Sequence, residues 1–126
     1  MEEGRHPFRQ AVEAKDLERL AATMREDVVL HSPILFRGFE GREAVIAVLT
    51  HVAATLEDFA YVDEMRGEDS VCLRFTARVG DRELEGVDLL TLDDAGLVAD
   101  LTVLMRPLSA INAFNERMAA RLAAGS

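Results

Sequence analysis

One acidic residue inside an apolar, strand-like segment offers the most specific chemistry in this sequence. Asp88 lies in the segment 84–92, in which alternate residues share one face of a predicted strand. A carboxyl group on a buried face loses hydration and its pKa rises, so it can donate a hydrogen bond or act as a general base. The alternative is a structural role, in which Asp88 accepts backbone hydrogen bonds or pairs with Arg74 or Arg106.

Two other polar side chains are candidates to act beside Asp88. Tyr61 is the only tyrosine, and if its face of the strand points inward its hydroxyl lies opposite Asp88. Otherwise Tyr61 is a core aromatic residue with its hydroxyl at the rim. Ser32 ends the first predicted strand and can orient a ligand. The residues predicted to share the face of Tyr61 are Phe59, Asp63 and Met65.

The sequence predicts no metal centre and no cofactor. His31 and His51 lie far apart, Cys72 is the single cysteine, and no glycine-rich strand-to-helix turn is present for a nucleotide. A Ser–His pair is also excluded, because His31 and Ser32 are neighbours on a strand and face opposite sides. The single cysteine and the lack of a long apolar segment favour a cytoplasmic protein that does not insert into a membrane.

Length and charge limit the class of protein. The chain has 126 residues, the size of a single domain, which is predicted over 1–126. It carries 14 Lys and Arg against 23 Asp and Glu, a formal net charge of −9. Nucleic acids and anionic membranes bind clustered cations, so this charge excludes both as partners.

Hydrophobic periodicity divides the chain into a helical first half and a strand-rich second half. Helices are predicted from Pro7, from an Asp16 N-cap and over 42–56, and Ser109 is the predicted cap of a last helix over about 109–123. The predicted strands are 28–32, 59–65, 71–79, 82–92 and 97–106. The fold class is therefore α+β, with antiparallel strands curved over a helical layer.

Several short strings and their order resemble a known family. They are KDL at 15–17, DVV at 27–29, SP at 32–33, FEGREAV at 39–45 and EGVDLLTLDDAG at 85–96. Together they resemble the nuclear transport factor 2-like superfamily, also called SnoaL-like. The resemblance implies a cone-like roll, in which a curved antiparallel sheet wraps around a long helix and leaves an apolar pocket. It implies no single activity, since the superfamily holds isomerases, cyclases, dehydratases, hydrolases and binding modules.

The residues that ketosteroid isomerase uses within this superfamily are only partly present. That enzyme has a carboxylate base and an oxyanion hole built from a tyrosine and a protonated aspartate. The aspartate of the hairpin falls on Asp88, but Ser32 occupies the place of the base and Phe8 that of the tyrosine. Serine does not take a proton unaided at neutral pH, and phenylalanine offers no hydrogen bond. The sequence therefore argues against ketosteroid isomerase activity.

A pocket of mostly apolar residues around Asp88, Tyr61 and Ser32 is typical of a site for a small hydrophobic molecule. The first hypothesis is an acid–base isomerase, cyclase or dehydratase that acts on a small hydrophobic carbonyl compound. The second is a non-catalytic module for ligand binding or homodimerisation. The predicted ligand-binding residues are Phe8, Leu30, Leu49, Val52, Phe75, Leu90, Leu101, Val103 and Met105.

The outer face of the sheet is the predicted surface of a homodimer. Val87, Leu89 and Leu104 lie there beside polar residues, and mixed faces of this kind commonly form two-fold contacts. The alternative is that the last helix covers part of this face.

Overall fold

Ten elements follow one another along residues 4–124, which are the residues that the computed structural model describes. The helices are α1 (Pro7–Ala14), α2 (Leu17–Ala22), α3 (Arg42–Thr55) and α4 (Leu108–Ala124). The strands are β1 (Met24–His31), β2 (Phe39–Glu40), β3 (Glu57–Arg66), β4 (Ser70–Val79), β5 (Arg82–Leu92) and β6 (Val98–Arg106). The predicted domain over 1–126 extends beyond the described residues at both ends and stays a prediction.

The strands form one sheet in the order β2-β1-β6-β5-β4-β3. β3, β4, β5 and β6 pair with one another in antiparallel direction, as expected for strands joined by short turns. β1 instead runs parallel to β6, with Leu30 opposite Leu101. The segment 32–97 separates these two strands, so no hairpin fixes their relative direction. The α+β class with a curved sheet is confirmed, and one parallel pair is added to it.

The sheet curves around α3. This helix contacts both β1 and β3, and in the sheet those two strands are separated by β6, β5 and β4. Gly41 precedes α3 with a φ of 97°, a conformation that only glycine adopts without strain, and so turns the chain from β2 into the helix. α4 packs against α3 and the strands β4, β5 and β6, so the two helices cover the concave face.

The core lies between this concave face and the helices. It is built from one set of alternating strand residues, each 7% exposed or less, together with α1, α3 and α4. Phe8, Val45 and Phe114 are the helical residues that contribute most clearly. The strand residues of this inner face are Leu30, Val71, Leu73, Phe75, Ala77, Val79, Leu84, Leu90 and Leu101.

The structure differs from the predicted elements at three places. β2 forms in a segment where no strand was predicted, because Phe39 and Glu40 pair with Leu30 and Val29. β1 begins at Met24 rather than at residue 28, and its register with β6 shifts between Met24 and Val29. Ser109 does not cap α4, since the helix already begins at Leu108.

Among residues 4–124, no helix has the length and hydrophobicity needed to cross a lipid bilayer.

Candidate active site

The structure brings Tyr61 and Asp88 together on the inner face of the sheet. The hydroxyl of Tyr61 donates a hydrogen bond of 2.6 Å to Oδ2 of Asp88. Tyr61 is 7% exposed and Asp88 8%. They belong to β3 and β5, which lie on either side of β4. A hydroxyl and a carboxyl group thus meet inside an apolar enclosure.

Burial changes the protonation of both groups. Loss of hydration raises the pKa of Asp88 from its ordinary 3.8 to about 6, and the hydrogen bond from Tyr61 opposes this rise. The pKa of Tyr61 is raised well above its ordinary 10, first by burial and then by the negative charge of Asp88. At neutral pH the pair is therefore a neutral phenol that donates to a carboxylate.

The second carboxylate oxygen of Asp88 has no hydrogen-bond partner in the described part of the chain. Oδ1 accepts no hydrogen bond from residues 4–124, where Tyr61 supplies the single bond to this side chain. Within the same residues, Nε of Arg42 is the one fully enclosed side-chain nitrogen or oxygen without a partner. Oδ1 therefore keeps some contact with solvent. A carboxylate oxygen of this kind, with a pKa near 6, can take a proton from a bound molecule.

Two aromatic rings, those of Phe59 and Phe75, lie beside this pair. The centroid of Phe59 lies 4.9 Å from that of Tyr61 and 5.0 Å from that of Phe75. Phe75 lies opposite Gly86 on β5, and a Cβ at Gly86 would come within 2.6 Å of Cζ of Phe75 and would also meet the carbonyl oxygen of Leu104. Glycine at this position allows the ring to lie against the strand next to Asp88.

Arg9 of α1 contacts Tyr61 from the other side, and sequence analysis did not identify it. Its guanidinium carbon lies 5.8 Å from the centroid of the Tyr61 ring. Nη2 of Arg9 donates to the carbonyl oxygen of Tyr61 at 3.5 Å, and Nη1 pairs with Oε1 of Glu64 at 3.5 Å. The sequence shows that Arg9 follows Phe8 and lies four residues before Glu13, but this pattern does not indicate which strand Arg9 contacts.

A bulge in β3 explains why the sequence pattern did not place Glu64 on the face of Tyr61. Tyr61 lies opposite Phe75, the register then shifts, and Glu64 lies opposite Leu73. Tyr61 and Glu64 therefore share the inner face although they are three residues apart. Asp63 and Met65, which strict alternation placed with Tyr61, are exposed and lie opposite Arg74 and Cys72. The predicted face was wrong beyond Tyr61.

Ser32 is not joined to the pair by a hydrogen bond within residues 4–124. Its hydroxyl oxygen accepts from the backbone N–H groups of Ile34 at 3.3 Å and Leu35 at 3.1 Å, so it stabilises the turn after β1. His31 lies 2.9 Å from Asp100, measured from Nε2 to Oδ2, with both side chains partly exposed. A role for Ser32 with a ligand stays a prediction.

The predicted apolar lining separates into a packed floor and a more accessible wall. Phe8, Leu30, Phe75, Leu90 and Leu101 are at most 1% exposed. The remaining four are partly buried and pack against this core from α3 and β6; they are Leu49, Val52, Val103 and Met105. These four residues are therefore the more accessible part of the predicted lining, and the pocket itself stays a prediction.

Two open clefts lie elsewhere on the described part of the chain. One, of about 520 Å³, is lined by Arg25, Asp27, Arg42 and their neighbours. The other, of about 420 Å³, lies at the end of β3, β4 and β5 beside Met65 and Cys72. Neither is lined by Asp88. Within residues 4–124, no group of three or more His, Cys, Asp and Glu side chains is arranged so that it could hold a metal ion.

Comparison with known proteins gives a family match and close structural matches. The model of the SnoaL-like domain matches residues 6–101. No curated protein sequence matches the chain.

Three solved structures illustrate the likeness. A steroid delta-isomerase from Pseudomonas aeruginosa is 37% identical, with a TM-score of 0.86 over 90% of this chain and 85% of that one. An uncharacterised protein with a cystatin-like fold from Silicibacter pomeroyi is 34% identical, with a TM-score of 0.86 over 94% and 86%. An NTF2-like protein of unknown function from Cytophaga hutchinsonii shares the fold at 18% identity, with a TM-score of 0.64 over 83% and 88%.

Proposed function

Because this chain belongs to the SnoaL-like domain family, we propose that it binds a small hydrophobic carbonyl compound between α3 and the concave face of the sheet and performs acid–base chemistry on it. The observation that carries this proposal is the buried hydrogen bond between Tyr61 and Asp88, which leaves Oδ1 of Asp88 without a protein partner in residues 4–124. An acidic group held at a pKa of about 6 is matched to proton transfer near neutral pH.

The reaction assigned to Asp88 is removal of a proton from the carbon next to the carbonyl group. The C–H bond breaks, its electron pair moves into an enolate, and the proton passes to the carboxylate. Return of the same proton to another carbon completes an isomerisation. In a cyclisation, the enolate instead attacks a second carbonyl group, which forms a C–C bond and an alkoxide, and the alkoxide takes the proton back from Asp88. Tyr61 orients the carboxylate throughout, and Ser32 is the proposed residue that orients the substrate.

Similarity to the steroid delta-isomerase from Pseudomonas aeruginosa supports carbonyl chemistry of this class. Ser32 and Phe8 nevertheless stand where ketosteroid isomerase carries its base and its oxyanion tyrosine. We therefore assign the role of base to Asp88, although the aspartate at this position in ketosteroid isomerase belongs to the oxyanion hole. We carry over no steroid substrate.

Hydrogen–deuterium exchange at the α-carbon of apolar ketones tests the proposal directly. With a panel of cyclic ketones in heavy water, the protein should accelerate exchange, and the rate should rise with pH through about 6 as Asp88 ionises. Asp88→Asn should lower this rate by about a hundredfold or more. Asp63→Asn, which changes an exposed carboxylate on the other face of β3, is the matched control and should retain it.

The same panel separates the alternatives. Tyr61 emission reports binding, because Tyr61 is the only tyrosine in a chain without tryptophan. Ketones that change this emission without any exchange would leave a non-catalytic binding module. A panel that changes neither the emission nor the exchange rate would contradict the small-molecule proposal as a whole.

A homodimer through the outer face of the sheet is the second part of the proposal. Leu89 is 38% exposed, Leu104 51% and Met65 50%, so this face presents apolar surface to solvent. Arg74 and Arg106 flank it, each paired with Glu85, and such mixed charge at a rim is self-complementary under two-fold symmetry. α4 packs on the other face, against α3, and does not replace this contact.

Sedimentation tests the dimer. The protein should sediment as a dimer at micromolar concentration, and Leu104→Glu should convert it to a monomer. Leu17→Glu, at a residue of α2 that is 48% exposed, is the control and should remain dimeric. A wild-type protein that sediments as a monomer would remove this part of the proposal without affecting the site.

A further inference from the structure

Arg9 is a charged residue enclosed at the edge of the core. It lies in α1, next to Phe8, and is 9% exposed. Enclosing a guanidinium costs free energy unless charges and hydrogen bonds compensate it. The partners of Arg9 therefore show what the enclosed charge is held against.

The guanidinium holds Tyr61 at two points. It lies over the ring at 5.8 Å from the centroid, within the range of a cation–π interaction. Nη2 also donates to the carbonyl oxygen of Tyr61 at 3.5 Å. One side chain thus contacts both the ring and the backbone of the residue whose hydroxyl binds Asp88.

The bulge in β3 gives Arg9 its second anchor on the same strand. The register shift after Tyr61 turns Glu64 to the inner face, where its carboxylate lies 3.5 Å from Nη1 of Arg9. Arg9 therefore bridges the bulge, with Tyr61 on one side and Glu64 on the other. A regular strand would direct Tyr61 and Glu64 to opposite faces and would not permit this bridge.

An alternating row of charges keeps Arg9 in place. Glu13 lies 2.8 Å from Arg5 and 3.2 Å from Nε of Arg9. At the other end, Glu64 pairs with Arg66 and also accepts from the backbone N–H of His6 at 3.1 Å. Each carboxylate in this row lies between two arginines. The row therefore connects the start of α1 to β3 through Arg9.

We propose that Arg9 is a positioning residue that fixes the ring and backbone of Tyr61, so that the hydroxyl of Tyr61 remains directed at Oδ2 of Asp88. This inference rests on the proposed function in one respect, namely that the pair acts on a substrate. The contacts themselves do not depend on it.

The electrostatics of the two groups indicate that Arg9 acts on Asp88 through Tyr61. Burial and then Asp88 raise the pKa of Tyr61, Glu13 adds to this, and Arg9 opposes it. The pKa of Asp88 is raised by burial and lowered by the bond from Tyr61. Displacing Tyr61 should therefore raise the pKa of Asp88 by weakening the one hydrogen bond that opposes its rise.

The test is a titration of the Asp88 carboxyl carbon by nuclear magnetic resonance in Arg9→Met, without ligand. We expect the pKa of Asp88 to rise by about 0.5, the equivalent of one cation–π contact, and the phenol of Tyr61 to ionise at higher pH. Arg5→Met removes a cation from the outer end of the same row without touching Tyr61, and it should leave the pKa of Asp88 unchanged.

A double-mutant cycle with Tyr61→Phe separates positioning from a direct effect of charge. In the Tyr61→Phe background, Arg9→Met should no longer change the pKa of Asp88. An equal change in both backgrounds, or no change in either, would overturn the proposal. Arg9→Lys keeps the charge but loses the guanidinium that contacts both the ring and the carbonyl oxygen of Tyr61, so it should also raise the pKa of Asp88. A wild-type pKa of Asp88 in Arg9→Lys would equally overturn the proposal.

Failure of this test and failure of the proposed function are distinguishable. The titrations report on the free protein, whereas the ketone exchange reports on a bound ligand. A protein that exchanges no ketone can still show the coupling of Arg9 to Asp88, and a protein without this coupling can still exchange ketones.

Discussion

Tyr61 on β3 and Asp88 on β5 are joined by a hydrogen bond of 2.6 Å that passes over the strand between them. The register places Tyr61 in line with Phe75 and Gly86, and Asp88 one inner-face position further along β5. The bond is thus diagonal across three strands. It depends on the pairing of β3, β4 and β5 and not on any local motif.

Tyr61→Phe should raise the pKa of Asp88 above about 6. The phenol donates to the ionised carboxylate and so favours the charged form; without it, burial alone acts on Asp88. The titration of the Asp88 carboxyl carbon measures the change. Phe59→Leu alters the neighbouring ring but keeps the hydroxyl, so it should raise the pKa less. If Tyr61→Phe lowers the pKa or leaves it unchanged, the hydrogen bond does not stabilise the carboxylate.

Asp88→Asn should stabilise the protein at neutral pH. The pKa of Asp88 is higher in the folded state, about 6 against 3.8, so between these values the folded protein binds more protons and its stability falls as the pH rises. Asparagine cannot ionise, so the variant does not lose stability in this way. In wild type the loss in the free energy of unfolding amounts to about 2–3 kcal/mol above pH 6. The gain should be absent near pH 4.

Urea unfolding at the two pH values measures this difference. Asp63→Asn is the control, because Asp63 is exposed on β3, and it should change the free energy of unfolding little at either pH. Equal stability of Asp88→Asn and wild type at neutral pH would show that the ionised, buried carboxylate of Asp88 does not lower the free energy of unfolding.

Much of this site follows from periodicity in the sequence. Alternation in two neighbouring hairpins is enough to put Tyr61 and Asp88 on one face, because each hairpin fixes the register of the next strand. α3 is equally local: it was predicted over 42–56 and runs over Arg42–Thr55. Short-range patterns therefore predict most of the elements, with β2 and the start of β1 missed, and they give the central pair as one of two alternatives for Tyr61.

Contacts between distant segments were not predictable in the same way. Glu64 faces inward only because one extra residue is inserted in β3 after Tyr61, and no residue type in the segment 61–64 requires a bulge there. The parallel pairing of β1 with β6 and the contact of Arg9 with Tyr61 join segments more than fifty residues apart. Periodicity carries no information about such pairs.

Gly86→Ala should destabilise the protein by about 1–3 kcal/mol, the usual cost of overpacking a core. The added Cβ would meet the carbonyl oxygen of Leu104, which is backbone and cannot rotate away, and would come within 2.6 Å of Cζ of Phe75. Thermal or urea unfolding measures the loss. At Gly4, nothing lies within 4 Å of an added Cβ, so Gly4→Ala should be nearly neutral. Equal stability of the two variants would contradict the close packing beside Asp88.

His6 should make the protein less stable in mild acid. Its Nδ1 accepts the backbone N–H of Phe8 at 3.0 Å and so caps α1, which requires the neutral ring. Burial and then Arg66 lower the pKa of His6 below its ordinary 6.5, against the opposing effect of Glu64. The unfolded chain therefore binds the proton more readily, and the contribution of the cap is full above 6.5 and is lost as the pH falls below that value.

His6→Asn isolates this effect, because asparagine is a good helix cap that does not titrate. Asp88 is present in both proteins, so its own pH dependence cancels in the difference. The free energy of unfolding of wild type relative to His6→Asn should be constant above pH 6.5 and should fall by up to about 1 kcal/mol in mild acid. If the difference is the same above pH 6.5 and in mild acid, the neutral His6 ring does not stabilise the start of α1, the helix that contains Arg9.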